Sequence, residues 1–418
     1  MSWIEEFPGN FAWSNAALVT KGMAPYGAVA LGEIDRVCER LRTRQQEQDA
    51  WREEWCLMGK RLEIAAQDAA AEKRDMTAGD YYLRSGMYYF TGERFVYPGE
   101  EKRDIGRKAI ECQQAGLLRR YRRMERVEVP YEGQSLPALF LPAERNARRG
   151  STTNKAREHS ASARNDGRQE RAPKENNGRQ ERAPTIVVFN GMDNCKEMSV
   201  LFAGLEFAKR GWNTLAIDGP GQGESLRLRE LYARHDYEVP GAAAFDYVAS
   251  RPDVDTRRVV VMGYSFGGYY AARIAAMEKR YAAGVAMSAL HWDLHGWQAE
   301  MKRKQDADPK SVAQSTFHFR WIMGHIDDAD AALEKAKLFS LADVAPKIAC
   351  PFFVLHGADD KIVPVASAHK LYDAIGSKRK ALKILTAEDG GSYHAQADNR
   401  QVGMAHIADW IAGTLSHR

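Results

Sequence analysis

Three kinds of side chain stand in this sequence where acyl-transfer chemistry would need them. Ser265 lies in VVVMGYSFGGYY, residues 259–270, between Gly263 and Gly267 and just after a run of valines. Two adjacent acids, Asp359 and Asp360, follow in LHGADDKIVP, and His394 closes GGSYH. A serine hydroxyl is a poor nucleophile near neutral pH unless a base takes its proton during attack, and histidine has the pKa for that task. A buried carboxylate then fixes the imidazole tautomer and stabilises the imidazolium. Adjacent acids point differently, and spacing alone leaves both Asp359 and Asp360 open for that role. Gly-x-Ser-x-Gly is a weak signal by itself in a chain of 418 residues with 34 glycines. The elements around it have to decide.

Before Ser265, the β-branched run 258–262 reads as a strand buried on both faces. After it, YYAARIAAM is rich in helix formers with apolar residues at helical spacing. Strand, tight turn and helix is the context that presents a strained, outward-facing nucleophile, with Gly263, Gly267 and Gly268 giving the backbone room. Further strands are predicted at 185–189, 213–217, 284–288, 352–355 and 381–385, alternating with helices. That pattern specifies an α/β fold with a mostly parallel, doubly wound sheet, which binds ligands at the carboxyl ends of its strands. The candidates sit at those ends. Asn190-Gly191-Met192-Asp193 follows the first of them and can aim a backbone N–H at a developing oxyanion. DGPGQGES, residues 218–225, lacks the Lys-Ser/Thr ending and spacing of a phosphate loop, which disfavours nucleotide binding. Of the eleven histidines, His394 is the one in a glycine-flanked loop after the last strand, whereas His406 has a helical context and His417 lies in the tail.

The rest of the chain divides by composition. Residues 1–123 are helical in pattern, with Tyr81, Tyr82, Tyr88 and Tyr89 at the spacing of packed helices. Arg126–Pro130, a turn at Glu132-Gly133, and Leu136–Leu141 read as a hairpin. Residues 144–184 hold eleven Lys/Arg against six Asp/Glu and repeat GRQERAP, and the remaining 49 basic and 50 acidic residues nearly cancel. With almost no large apolar residue, this stretch reads as a disordered, low-complexity insertion in a surface loop. Its interleaved acids argue against a nucleic-acid tether. Five scattered cysteines without a C-x-x-C pair argue against both a disulfide framework and a structural zinc site. The acidic start, MSWIEEFPGNFAWSN, lacks the pattern of a secretory leader, and no apolar run is long enough for a membrane span. A cytoplasmic enzyme is expected, with no cofactor, no metal, no nucleic-acid or membrane partner, and a second copy of the chain as its macromolecular partner.

DGPGQGES, GYSFGGYYAARIAA, LHGADDKIVP and GGSYH resemble the α/β-hydrolase superfamily across residues 124–143 and 185–418. The N-terminal helical block, FNGMDNCKE, and the pairing of DGPGQGES with GYSFGGYYAAR resemble a narrower group. It includes dihydroxypseudooxynicotine hydrolase, fungal polyketide chain-shortening hydrolases and bacterial proteins of the fermentation-respiration switch type. The resemblance implies Ser265 as nucleophile, Asp360 rather than Asp359 as acid, His394 as base, and oxyanion donors in the backbone N–H of Phe266 and of Gly191 or Met192. It implies a catalytic domain over 124–418 covered by a lid made of the N-terminal helices and of a helical stretch at 291–340. The pocket between lid and core is expected to be apolar and aromatic. The implied reaction is cleavage of a carbon–carbon bond beside a ketone, in the retro-Claisen sense. Such a reaction asks for a proton donor or acceptor beyond the scissile bond, and the segment after strand 284–288 offers Asp293 and His295, residues that equally suit a helix cap or lid packing. A carboxylesterase or acyl-peptide-type hydrolase uses the same three residues, and a non-catalytic binding protein would keep the same fold.

One expectation follows from composition alone. Deleting residues 146–182 should change stability by only about 1 kcal/mol, since shortening a flexible loop alters closure entropy slowly. A thermal melt of the deletion protein checks this, and a melting temperature lowered by more than a few degrees would show that the segment is packed.

Overall fold

The computed structural model describes residues 3–144, 182–288, 292–313 and 316–416. Five helices come first: α1 Phe11–Lys21, α2 Leu31–Arg42, α3 Ala50–Ala71, α4 Asp75–Gly92 and α5 Glu100–Arg120. Asn10 starts α1 by accepting the Trp13 N–H at 3.1 Å, satisfying one of the amides a helix start leaves open. Small residues let α4 and α5 pack closely. A Cβ at Gly86 would fall 2.5 Å from Gln113 N, and one at Gly116 would fall 2.6 Å from Leu83 N. Tyr88 and Tyr89 are buried in this bundle, their hydroxyls on Glu33 and Glu63 at 2.7 and 2.8 Å.

Among the described residues the chain then builds one eight-stranded sheet in the order β1-β2-β4-β3-β5-β6-β7-β8. The strands are β1 Glu125–Tyr131, β2 Gln134–Leu141, β3 Ala183–Phe189, β4 Asn213–Ile217, β5 Val254–Tyr264, β6 Ala283–Met287, β7 Phe352–Gly357 and β8 Lys380–Leu385. The hairpin turns at Glu132 and Gly133, both at positive φ, which matches the right-handed twist of its strands. β2 runs antiparallel to β4, and β3 to β8 are parallel. The helices between and after the strands are α6 Lys196–Ser199, continued through a π-helical stretch Val200–Gly204 into α7 Leu205–Lys209, then α8 Gly223–Arg229, α9 Glu238–Ser250 and α10 Phe266–Met277. They continue with α11 Leu294–Ala307, α12 Thr316–Met323, α13 Ala329–Ala336, α14 Val365–Ala374 and α15 Arg400–Ser416. One apolar cluster lies on each face of the sheet, and the N-terminal helices share the cluster that includes Leu139, Val188 and Met262.

Most strand ends move by one or two residues from the sequence reading, and two boundaries change more. The low-complexity stretch read as 144–184 loses its last two residues, because Ala183 and Pro184 belong to β3, where the Ala183 N–H bonds Asp253 O at 2.9 Å. Residues 145–181 of that stretch lie outside the described residues. β5 is longer than the 258–262 run, extending from Val254 to Tyr264, with Val254 paired to Ala183 of β3. No helix among the described residues is long and apolar enough to cross a membrane.

Buried ions fasten the N-terminal helices to the sheet. Glu93, at the end of α4, pairs with Lys102 of α5 at 2.7 Å and with Arg227 of α8. Burial alone would push the Glu93 carboxyl up, but Arg227 and Lys102 outweigh it and hold it down at about 2. A carboxyl lowered on folding adds stability above its unfolded value, near 4.5, and loses it as pH falls through the folded value. Glu93→Gln should therefore destabilise at neutral pH by about 3–5 kcal/mol, since it leaves two buried cations without their carboxylate. The gap in melting temperature between wild type and variant should close as pH falls from 4.5 towards about 2. A gap that stays constant over that range would show that the pair carries no such linkage.

Candidate active site

The site begins where β5 stops. Ser265 has φ 55° and ψ −125°, a conformation that side chains rarely adopt, and it turns the chain from strand into α10. The elbow is closed by Ser265 N–H on Met287 O at 3.0 Å and Gly268 N–H on Ser265 O at 2.9 Å. Any side chain at Gly263 would strike the Gly267 carbonyl, and one at Gly267 would strike the carbonyls of Phe189 and Asn190. These two glycines are required by contact, beyond any preference of the turn.

His394 reaches the same point from the loop after β8. Its Nε2 lies 2.8 Å from Ser265 Oγ, and its Nδ1 lies 2.7 Å from Asp360 Oδ2. The loop is held from below: Asp398 accepts the backbone N–H groups of Gly391, Ser392 and Tyr393 at 2.9, 3.1 and 3.2 Å. Gln396 ties it to the end of β6 through Ser288 Oγ at 3.0 Å. Asp360 is 8% exposed, and its second oxygen accepts Ile362 N–H and Val363 N–H, both at 2.9 Å. Burial would raise its pKa, but His394, His356 and the Val363 N–H together lower it below the ordinary aspartate value. An ionised carboxylate only accepts, so the hydrogen sits on His394 Nδ1 and Nε2 presents its lone pair to the Ser265 hydroxyl. Asp359 is exposed, and its backbone N–H donates to Ser392 O at 2.9 Å.

The other residues read from the sequence fall in two groups. Phe266 is the first residue of α10, and Gly191 faces the elbow, where an added Cβ would sit 3.0 Å from Ser265 Cβ. Met192 is buried beside it. Both backbone segments therefore flank Ser265 as oxyanion donors must. Asp293 is different: its carboxylate accepts Gly296 N–H at 3.0 Å as the cap of α11, and it is exposed, in the arrangement expected of a helix cap. His295 lies in the first turn of the same helix and is half-buried. Residues 289–291, at the start of that segment, lie outside the described residues.

Two histidines carry no local mark of a role in the sequence. His356 is fully buried beneath the acid, with Nε2 3.0 Å from Val363 O and 3.5 Å from Asp360 Oδ2. Burial lowers its pKa, and Asp360 only partly offsets this. His318, on α12, is 3% exposed and meets Asp193 of the loop that follows β3. Its FHFRW setting reads as ordinary helix packing, and nothing local pairs it with an acid in a distant loop.

A cavity of about 160 Å³ reaches His394, walled by Phe11, Ser14, Leu18, Ile362 and Tyr393. α1 thus closes over the site, and the wall mixes polar with apolar groups where an apolar, aromatic lining was expected. The described part of the 291–340 stretch lies alongside: Trp297 Nε1 donates to Ile362 O at 2.7 Å, and Phe339 packs on Phe266 with ring centroids 5.7 Å apart. Among the described residues no group of three His, Cys, Asp or Glu side chains is arranged to hold a metal ion.

Comparison with known proteins agrees with this architecture. Hydrolase LUC6 of Fusarium sp is 26% identical across 99% of this chain and 98% of its own length. The 2,6-dihydropseudooxynicotine hydrolase of Paenarthrobacter nicotinovorans is 28% identical over 55% of this chain and 57% of its own. The crystal structure of the 2,6-dihydroxy-pseudo-oxynicotine hydrolase superposes with a TM-score of 0.69 at 21% identity, covering 93% of this chain and 94% of that one, and so shares the fold. Residues 206–418, which carry the elbow and both loops that meet it, match the prolyl oligopeptidase family, to which this chain therefore belongs as an α/β-hydrolase.

Proposed function

We propose that the protein is a serine-dependent hydrolase that cleaves a carbon–carbon bond beside a ketone, with Ser265 as nucleophile, His394 as base and Asp360 as its carboxylate partner. The observation that carries this reading is the unbroken chain of short contacts from Ser265 Oγ through His394 to Asp360, with Asp359 turned to solvent. The names of the relatives, among them a 20-hydroxy-prefusarin hydrolase and a 2,6-dihydropseudooxynicotine hydrolase, support a ketone-bearing substrate.

In this mechanism His394 Nε2 takes the Ser265 proton as Oγ bonds to the carbonyl carbon. The oxyanion is met by the Phe266 N–H and by the Gly191 or Met192 N–H. Collapse breaks the carbon–carbon bond, its electron pair passes into the neighbouring carbonyl as an enolate, and the proton on His394 quenches that enolate. Water, deprotonated in turn by His394, then attacks the acyl-serine, so that one diketone and one water give one acid and one ketone. A carboxylesterase is the second reading. It is favoured by the engagement of Asp293 as a helix cap, which takes one enolate-handling candidate away from the scissile bond.

Turnover of 1-phenylbutane-1,3-dione and of p-nitrophenyl acetate separates the two. Ser265→Ala should abolish both with the fold retained, a loss on the order of 10^6-fold where nucleophile removal has been measured in a serine hydrolase. Asp360→Asn should cost about 10^4-fold, as expected for the group that sets the imidazole tautomer, while Asp359→Asn stays near wild type. Ester hydrolysis without diketone cleavage would leave the esterase reading standing, and near-normal activity of folded Ser265→Ala protein would end both.

A further inference from the structure

A second polar site lies on the other side of the loop that faces Ser265. Thr20 of α1, Glu93 and Arg94 after α4, Asp193 after β3, Arg227 of α8 and His318 of α12 surround a cavity of about 20 Å³. The N-terminal helices, the sheet and the lid each contribute to it. That volume exceeds the roughly 10–15 Å³ a single oxygen-sized occupant needs.

The wall holds more donors than it uses. Arg94 Nη2 pairs with Asp193 Oδ2 at 3.2 Å, Glu93 is shared between Arg227 and Lys102, and His318 Nε2 is in ion-pair range of Asp193 Oδ1. Arg94 Nε and His318 Nδ1 have no hydrogen-bond partner among the described residues, and the Nε2 contact lacks hydrogen-bond alignment. His318 is 3% exposed. Arg94 and Arg227 on the wall face Glu93 and Asp193, so these charges balance, and the buried Arg94 Nε–H is left with unused capacity. Leaving such donors unsatisfied is costly, and an apolar occupant would not relieve it. An acidic oxygen would.

The cavity is tied to the reacting centre through its loop. Gly191 touches the Ser265 elbow, and Asp193 of the cavity wall follows it two residues on, a reach along the chain of at most about 7 Å. We propose that His318, with Arg94 and Asp193, forms a specificity subsite for an acidic hydroxyl, phenolic or enolic, that the ketone substrate carries beyond its scissile carbonyl. This rests on the ketone reading above and names what that ketone must bear. The hydroxyl accepts from Arg94 and lies against the imidazole of His318, whose ring the Asp193 carboxylate orients.

Calorimetric titration of Ser265→Ala protein tests binding without turnover. The ligands form two matched pairs: 1-(2-hydroxyphenyl)butane-1,3-dione against 1-phenylbutane-1,3-dione, and heptane-2,4,6-trione against heptane-2,4-dione. The member with the extra acidic oxygen should bind about 10-fold tighter or more in at least one pair, the range expected for a hydrogen bond to a charged group. The pair that shows it distinguishes a phenol from an enol. Adding His318→Ala should erase the preference, and His318→Gln, whose amide still donates, should keep part of it, with a melting curve confirming that each variant folds. Equal weakening of both members would mean that His318 only packs the lid, and no preference in the parent protein would mean that the cavity holds water alone; each result overturns the proposal. If the wild type hydrolyses p-nitrophenyl acetate but cleaves neither diketone, the ketone reading fails by itself. Methyl 2-hydroxybenzoate against methyl benzoate, titrated in the same variants, then shows whether the subsite stands without it.

Discussion

The backbone of Ser265 is the constraint on which the rest of the site depends. Its φ of 55° is strained for a residue with a side chain, a cost of about 1–3 kcal/mol that only a surrounding structure able to enforce it can sustain. Here β6 supplies the carbonyl that holds the Ser265 N–H, α10 supplies the amide that holds its C=O, and glycines at 263 and 267 clear the way for neighbouring carbonyls. In return the hydroxyl stands clear of the sheet, at a point that the loops after β7 and β8 both reach. Relaxing the strain would withdraw Oγ from His394.

The second organising feature is charge kept away from solvent. Asp360 is a carboxylate held ionised in a buried place, and two backbone N–H groups with two histidines around it make that tolerable. The same solution recurs farther out. Lys196 is fully buried among Glu197, Asp218 and Glu224, and Gln114 of α5 reaches Glu197 at 3.1 Å. Burial opposes the charge on Lys196, but the three carboxylates outweigh it and raise its pKa. Asp218, in the turn after β4, also accepts the backbone N–H groups of Lys196 and Glu224 at 2.7 and 2.9 Å. The glycine-rich turn that the sequence could offer to a phosphate is thus filled by the protein's own cation and carboxylates. Buried pairs of this kind set orientation, since breaking one member is far more costly than the net worth of the pair. They fix how the N-terminal helices sit over the sheet, and with them the wall that α1 builds beside His394.

The helical stretch that includes α11 to α13 is held by a different balance. Phe339 stacks towards Phe266 and Tyr269, and Ala233 N–H bonds Ile322 O at 2.9 Å, so apolar contact and backbone pairing join it to the core. Where it meets the loop after β3, the contact turns polar, through His318 and Asp193, whose other oxygen pairs with Arg94 after α4. Apolar packing tolerates many shapes of ligand, whereas unsatisfied donors discriminate, because a substrate lacking the matching oxygen leaves them stranded. Rigid elements of the sheet thus hold Ser265, while α12 is laid across the core by mixed apolar and polar contacts.

Much of this was legible in the residues themselves. Six strands, the elbow and the order of serine, acid and histidine follow from short-range signals: β-branched runs, helical periodicity and glycines placed where a turn needs them. The hairpin was legible for the same reason, Glu132-Gly133 being a local turn between alternating strands. What spacing left open was decided by packing. Asp359 and Asp360 are neighbours in the chain, and burial against His356 and two amides separates them into an exposed acid and one held beside His394. Asp293 had the right position in the chain for a substrate contact, but the N–H of Gly296 at the start of α11 engages its carboxylate. Ala183 and Pro184 look like the end of a polar repeat, and only the neighbouring β5 makes them strand. Glu93 with Arg227, 134 residues apart, and His318 with Asp193 carry no local mark at all. A sequence records the conformational preferences of adjacent residues; which distant charges are brought together out of water is set by the cost of burying them singly, and that cost exists only once the chain has folded.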